Sequence, residues 1–335
     1  MREKLDVISF ARGFAIFTIV AMHLLGCISV PNLLEKAIAF GGTGVHILFL
    51  CSGFGLFYSQ LSNQLDYSAF LKRRLFRLYL PYCVAVLLWA LFLFLRTHSF
   101  SPQIVASHLL LYKMFDADLD VSLCFHYWFI STIIQFYICW PLIVKLMKCR
   151  HGLAIAVTIS LFWAALVGFL KMEDSRPWSS CFLQYLWEFC LGMHLAAIAP
   201  NLEQRIKQLP YWAFLLCIVC CMPITYIMGV HGGPFKLFND LPSMFGYAAC
   251  MLLVYKVDLS MVNSFFKFTD SIGYEWFLIH GLVIALARAL FPALPAAFMV
   301  LLCFVSSYGL AYLFSFVVGR RSPLRYCLAN AAPVK

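Results

Sequence analysis

The chain has 335 residues, of which 63% are hydrophobic and 12% charged, against roughly 25% charged in soluble domains. A soluble core cannot hide that much apolar surface, so a polytopic membrane protein is expected. The net charge of +10 suits basic loops that set membrane topology; with no aromatic-and-basic RNA motif and no zinc-finger spacing, nucleic acid is not an expected partner.

Apolar runs of about 17–25 residues predict a bundle of about ten transmembrane helices. They fall near 7–28, 39–59, 78–96, 124–146, 152–170, 181–199, 210–229, 241–256, 271–290 and 296–318. The first opens behind MREK like a signal peptide, and LLGC ending at Cys27 resembles a lipoprotein cleavage box. Arg12 interrupts the apolar stretch and no globular domain follows, so a retained helix is expected. Arg12 and His23 lie eleven residues apart, on one helix face and about 16 Å apart along the axis. Ionisable groups are costly in a bilayer and mark functional sites. This stripe offers an anion-binding group and, deeper, a base or nucleophile. Its structural alternative is a snorkelling arginine and an interhelical histidine hydrogen bond.

The second run, GGTGVHILFLCSGFGLF, carries His46 and has glycines and Ser52 that permit close helix approach. FLKRRLFRLYLPY follows, with Lys72, Arg73, Arg74 and Arg77 as a basic loop on the inner surface. Arg74 and Arg77, at i,i+3, face one way and suit phosphate groups; plain anchoring beside anionic lipid explains the same cluster. The segment at about 97–123 contains FDADLD. Its Asp116, Asp118 and Asp120 lack the glycine and glutamate of a calcium loop, so a solvated acidic loop is expected. HYWFISTIIQFYICWPL opens the fourth run with His126 and Trp128, as interfacial aromatic belts do. The sixth run carries Glu188 and His194. The seventh contains CIVCC, whose cysteines read as small hydrophobes. The ninth, SIGYEWFLIHGLVIALAR, carries Glu275, His280 and Arg288; Glu275, near the cytoplasmic end of that span, is placed to neutralise a basic group such as Arg12.

With the N-terminus inside, the inner segments hold 17 basic residues and the outer ones six. That bias places both termini in the cytoplasm. One transmembrane domain over residues 1–335 is expected, with no metal site and no permanently bound cofactor.

DVISFARGFAIFTIVAMH, GVHILFLCSGF, FLKRRLFRLYLPY, WFISTIIQFYICWPL and SIGYEWFLIH, in that order, resemble the acyltransferase 3 family of integral membrane acyltransferases. The resemblance spans nearly the whole chain. It implies ten helices, an acyl-CoA co-substrate, usually acetyl-CoA, and transfer to a hydroxyl of a membrane or lipid-linked envelope carbohydrate in a bacterial inner membrane. By the same resemblance His23 is the catalytic group, Arg12, Arg74 and Arg77 hold the donor with Lys72 and Arg73 beside them, and Ser52 supports. Trp128, His280 and Glu275 complete the candidate site. Some relatives have acidic residues in the fourth helix where this chain has Ile133 and Ile134, and an outer esterase-like domain, so a stand-alone form is expected. CoA phosphates would sit against the basic cluster, with the thioester directed towards His23 acting as base or as acylated nucleophile. A secondary transporter of a small anionic or sugar solute is the rival reading. It predicts internal repeats, broken helices or buried acidic pairs.

Overall fold

A computed structural model describes residues 5–26, 28, 30–62, 66–120 and 122–319. Cys27 of the lipoprotein-like box lies outside them, as do Arg2, Lys4, Arg320, Arg321, Arg325 and Lys335 of the topology count. The regular secondary structure of the described residues is helical throughout, as expected for an all-α membrane protein. The main helices are α1 (Asp6–Leu25), α2 (Gly44–Ser62), α3 (Tyr67–Thr97), α4 (Trp128–Ile138), α5 (Trp140–Lys148), α6 (Gly152–Phe169), α7 (Leu186–Ala197), α8 (Tyr211–His231), α9 (Asp240–Val257), α10 (Ser260–Leu290) and α11 (Ala296–Val317).

Eight described helices are long and apolar enough to cross a membrane, nine if one bent pair counts as a single span. The expected ten therefore need two corrections, each with a physical cause. The fourth span breaks by 60° between α4 and α5. Pro141 sits in the first turn of α5, where it cannot donate to Tyr137 and its ring crowds that carbonyl. The sixth span is helical only over the 12 residues of α7, about 18 Å against a hydrocarbon core of about 30 Å. The chain before it is irregular, and neighbouring helices satisfy its backbone. Thr132 Oγ1 donates to Ser180 O at 2.7 Å, Ser160 Oγ donates to Leu183 O at 2.7 Å, and Gln135 Oε1 accepts from Phe182 N at 3.1 Å. Non-helical backbone at membrane depth persists only with such partners.

Close packing fixes the centre of the bundle. A Cβ on Gly13 would lie 1.8 Å from Phe266 O, so α1 and α10 touch backbone to backbone. Gly53 and Gly192 do the same for α2 and α7: their Cβ atoms would lie 2.0 Å from Phe189 O and Leu50 O. Small residues let membrane helices approach this far. Phe10 and Phe14 flank the first contact, each 5.1 Å from the Phe266 ring. At the other extreme, α8 buries only Phe214 and forms the lipid-facing rim.

The pairing of α1 with α10 sets the register of the site. Arg12 meets Asp270 and His23 meets His280, at sequence separations of 258 and 257. A nearly constant offset means two parallel helices in step. The basic cluster is not a loop. Helix α3 starts at Tyr67, with Asp66 accepting from Ser68 N at 3.0 Å, so Lys72, Arg73, Arg74 and Arg77 lie on its first turns.

Candidate functional site

Arg12 is held from two sides by one carboxylate. Its Nε donates to Asp270 Oδ1 at 2.7 Å and its second guanidinium nitrogen to Asp270 Oδ2 at 3.0 Å. This is the planar fork geometry that arginine makes best. The carboxylate that neutralises Arg12 is therefore Asp270, not Glu275. The two acids are five residues apart, about 140° around the helix, and α10 begins at Ser260, which puts Glu275 mid-helix rather than near its end.

Arg12 and Asp270 open onto a cavity of about 1150 Å³, larger than the roughly 300–1,000 Å³ that takes a drug-sized ligand. Arg73, Arg74 and Arg77 line it from α3, Ser52 from α2 and Glu275 from α10. Lys72 is exposed and does not line it. Phe129 and Phe277 both line it, with ring centroids 5.6 Å apart, and Phe277 is also a neighbour of the histidines. Arg12, Ser52, three of the four basic residues and Glu275 are thus brought together. His23, His280 and Trp128 are not in that wall.

The histidines lie behind Phe277, whose ring is 4.9 Å from that of His126 and 6.2 Å from that of His280. His280 Nδ1 is 3.1 Å from Trp276 O, and its Nε2 is 2.7 Å from His23 Nδ1. A carbonyl only accepts, so in the neutral ring His280 donates through Nδ1 and offers a lone pair at Nε2. His23 then donates through Nδ1, and its own lone pair sits on Nε2. Bonding at one ring nitrogen fixes the basicity of the other. His126 stacks on His280 at 4.4 Å and donates through Nε2 to Phe277 O at 2.9 Å, with Cys124 Sγ 3.2 Å from its Nδ1. His126 and His280 are buried, and His23 is the more open of the three.

His126 and Asp270 are site residues that the sequence reading did not select. Asp270 precedes His280 by ten residues much as Arg12 precedes His23 by eleven. That echo between two apolar helices is a readable signal. His126 gives no such signal, because the loop that delivers it has no period.

Trp128 packs elsewhere, stacked on Tyr185 with Arg176 over its ring at 5.4 Å. The acidic stretch is not simply solvated. Asp116 Oδ1 caps Asp118 N and Leu119 N at 3.0 and 3.2 Å. Asp120 is buried between Lys113 Nζ at 3.5 Å and Arg176 Nε at 3.4 Å. Lys113 is fully buried and also donates to Asp120 O and Cys124 O; desolvation pushes its pKa down, and Asp120 pulls it back up. Among the described residues, two groups have the donors and spacing to hold a metal ion, with ligand atoms within 4.8 Å of one another: His23, His126 and His280, and His46, Glu188 and Asp240.

The acyltransferase 3 family, described as an acyltransferase domain, matches residues 5–320. No curated protein and no solved structure matches the chain significantly. A profile that runs from the head of α1, through the Arg12–Asp270 pair and the histidines, to the end of α11 covers the whole described bundle, and the chain belongs to the acyltransferase 3 family as a multi-pass membrane acyltransferase.

Proposed function

We propose that the protein is an acyl-CoA-dependent O-acetyltransferase. It takes an acetyl group from cytoplasmic acetyl-CoA and transfers it to a hydroxyl of an envelope carbohydrate in a bacterial inner membrane. The observation that carries this reading is the arrangement of the cavity: arginines of α3 line it, and Phe277, another lining residue, packs against His280, which bonds His23. Phosphates bind Arg73, Arg74 and Arg77 through charge-assisted hydrogen bonds. Arg12 is already charge-paired with Asp270, so it orients a carbonyl or amide oxygen of the donor arm and contributes less to net charge. The thioester reaches His23 by displacing the Phe277 ring. The Nε2 lone pair of His23 removes the proton from the acceptor hydroxyl as it attacks the thioester carbonyl, the C–S bond breaks, and CoA leaves as the thiol. In the two-step variant the same nitrogen carries the acetyl group between donor and acceptor.

Two observations favour a transporter, the 60° break between α4 and α5 and the acidic pair of buried Glu188 and partly buried Asp240, since broken helices and buried acidic pairs form transporter sites. One experiment separates the two readings. Purified protein is given radiolabelled acetyl-CoA, and thioester turnover and CoA binding are measured for wild type, His23→Ala and the Arg74→Ala/Arg77→Ala pair. His23→Ala is expected to lose turnover by about 10²–10⁴-fold while keeping CoA binding, and the arginine pair to lose binding. Full activity in His23→Ala would sink the assignment. Well-folded protein that binds no CoA would return the chain to the transporter reading.

A further inference from the structure

We propose that His46, Glu188 and Asp240 form a divalent-cation site that ties α2, α7 and α9 together, separate from the histidines around His23. His46 Nδ1 lies 2.7 Å from Glu188 Oε1, and His46 Nε2 lies 3.6 Å from Asp240 Oδ1. One ligand atom from each residue falls within 4.8 Å of the others. Glu188 is fully buried.

Two further facts point to a cation. The first is unspent acceptor capacity. Glu188 Oε2 and Gln184 Oε1 are buried with no hydrogen-bond partner, although the Gln184 amide nitrogen donates to Asp240 Oδ2 at 2.8 Å. Orphaned acceptors at such depth are costly. The second is charge. Among the described residues no lysine or arginine pairs with Glu188 or Asp240. With both carboxylates ionised, even a protonated His46 leaves this buried group one negative charge in excess. A divalent ion on two carboxylates and a neutral imidazole removes the excess, and it gives the carboxylate oxygens a common partner. A mixed imidazole and carboxylate set suits Zn2+ or Mn2+. The role is structural: the ligands come from three different helices, and α7 is too short to anchor itself by spanning the bilayer.

The test uses the full chain, purified in detergent. It is stripped with a chelator, re-equilibrated with Zn2+ alone or Mn2+ alone, desalted, and read by elemental analysis and thermal melting. Wild type is expected to retain about one equivalent of one of the two ions, to melt lower after stripping, and to recover when the ion returns. Glu188→Gln and Asp240→Asn, scored only where they elute as a single species, are expected to bind at least about tenfold more weakly. His194→Gln, at an exposed position of the same helix, is expected to bind like wild type. The site is overturned if stripped wild type binds neither ion or melts unchanged. It is equally overturned if binding survives in both carboxylate variants, which would move the ion to the His23 group or to cysteines.

Discussion

At the scale of single residues, the site is a set of partners that each fix one another's proton. His280 donates to Trp276 O and accepts from His23, so in the proposed reaction it would act through the tautomer and angle of His23, as a positioning residue. His280→Ala leaves the arginine-lined cavity untouched. It is expected to lower kcat on the order of 100-fold, the cost of misplacing a reacting group by about 1 Å, with KM for acetyl-CoA unchanged. His280→Asn can still donate to the carbonyl and is expected to recover part of that loss. A steady-state split of kcat from KM checks this, and an equal loss in KM would place His280 in the donor pocket instead. Arg12 and His23 were legible because a charge in an apolar helix stands out and their spacing puts both on one face. Their partners were not legible to the same degree. Which helix faces α1 is a tertiary fact, so Glu275 was the nearest visible acid while Asp270 is the one that bonds. His46, Glu188 and Asp240 come from three separate runs, and no spacing within any run connects them.

At the scale of helices, glycines decide where backbones meet. Gly13→Ala sets a methyl group 1.8 Å from Phe266 O, and Gly53→Ala sets one 2.0 Å from Phe189 O. Neither neighbour is a side chain that can swing away, so each helix pair must separate. Each variant is expected to cost about 1–3 kcal/mol or more and to lower the melting temperature in detergent. Gly309→Ala on α11 meets nothing within 4 Å and is expected to be neutral or slightly stabilising, by up to about 1 kcal/mol. If all three variants melt alike, the close contacts of α1 and α2 are not what holds the bundle. Eight or nine of the ten expected spans follow from apolar run length alone, because a bilayer forces long helices and leaves few alternatives. The sixth misled because residues 181–185 are apolar enough to read as helix. Their departure from helix depends on Thr132, Gln135 and Ser160, which lie on other segments. The basic stretch at 72–77 misled in the opposite direction: charge suggested a loop, yet Asp66 caps a helix that runs straight through it.

At the scale of the whole molecule, the proposed reaction requires a direction. The donor's phosphates meet arginines on the first turns of α3, and the acceptor meets His23, eleven residues further along α1 than the Arg12 pair. If acetyl-CoA is cytoplasmic, the start of α3 faces the cytoplasm and its end faces out. Helix α3 offers a direct test. Its 31 residues span about 46 Å, longer than the roughly 30 Å hydrocarbon core, so both ends emerge. Lys72 near its start and His98 just past its end are both exposed. Lys72→Cys and His98→Cys, made singly with Cys27, Cys327 and the exposed Cys149 and Cys220 replaced by serine, can be probed in intact spheroplasts with a membrane-impermeant maleimide. The excess of lysine and arginine on one side predicts labelling of His98→Cys in intact cells and of Lys72→Cys only after permeabilisation. The reverse pattern would put the arginine-lined cavity on the side that holds no acetyl-CoA, and the donor would then have to be sought outside the cell. The predicted pattern would leave His23 nearer the outer face, the side on which the proposed transfer needs its acceptor.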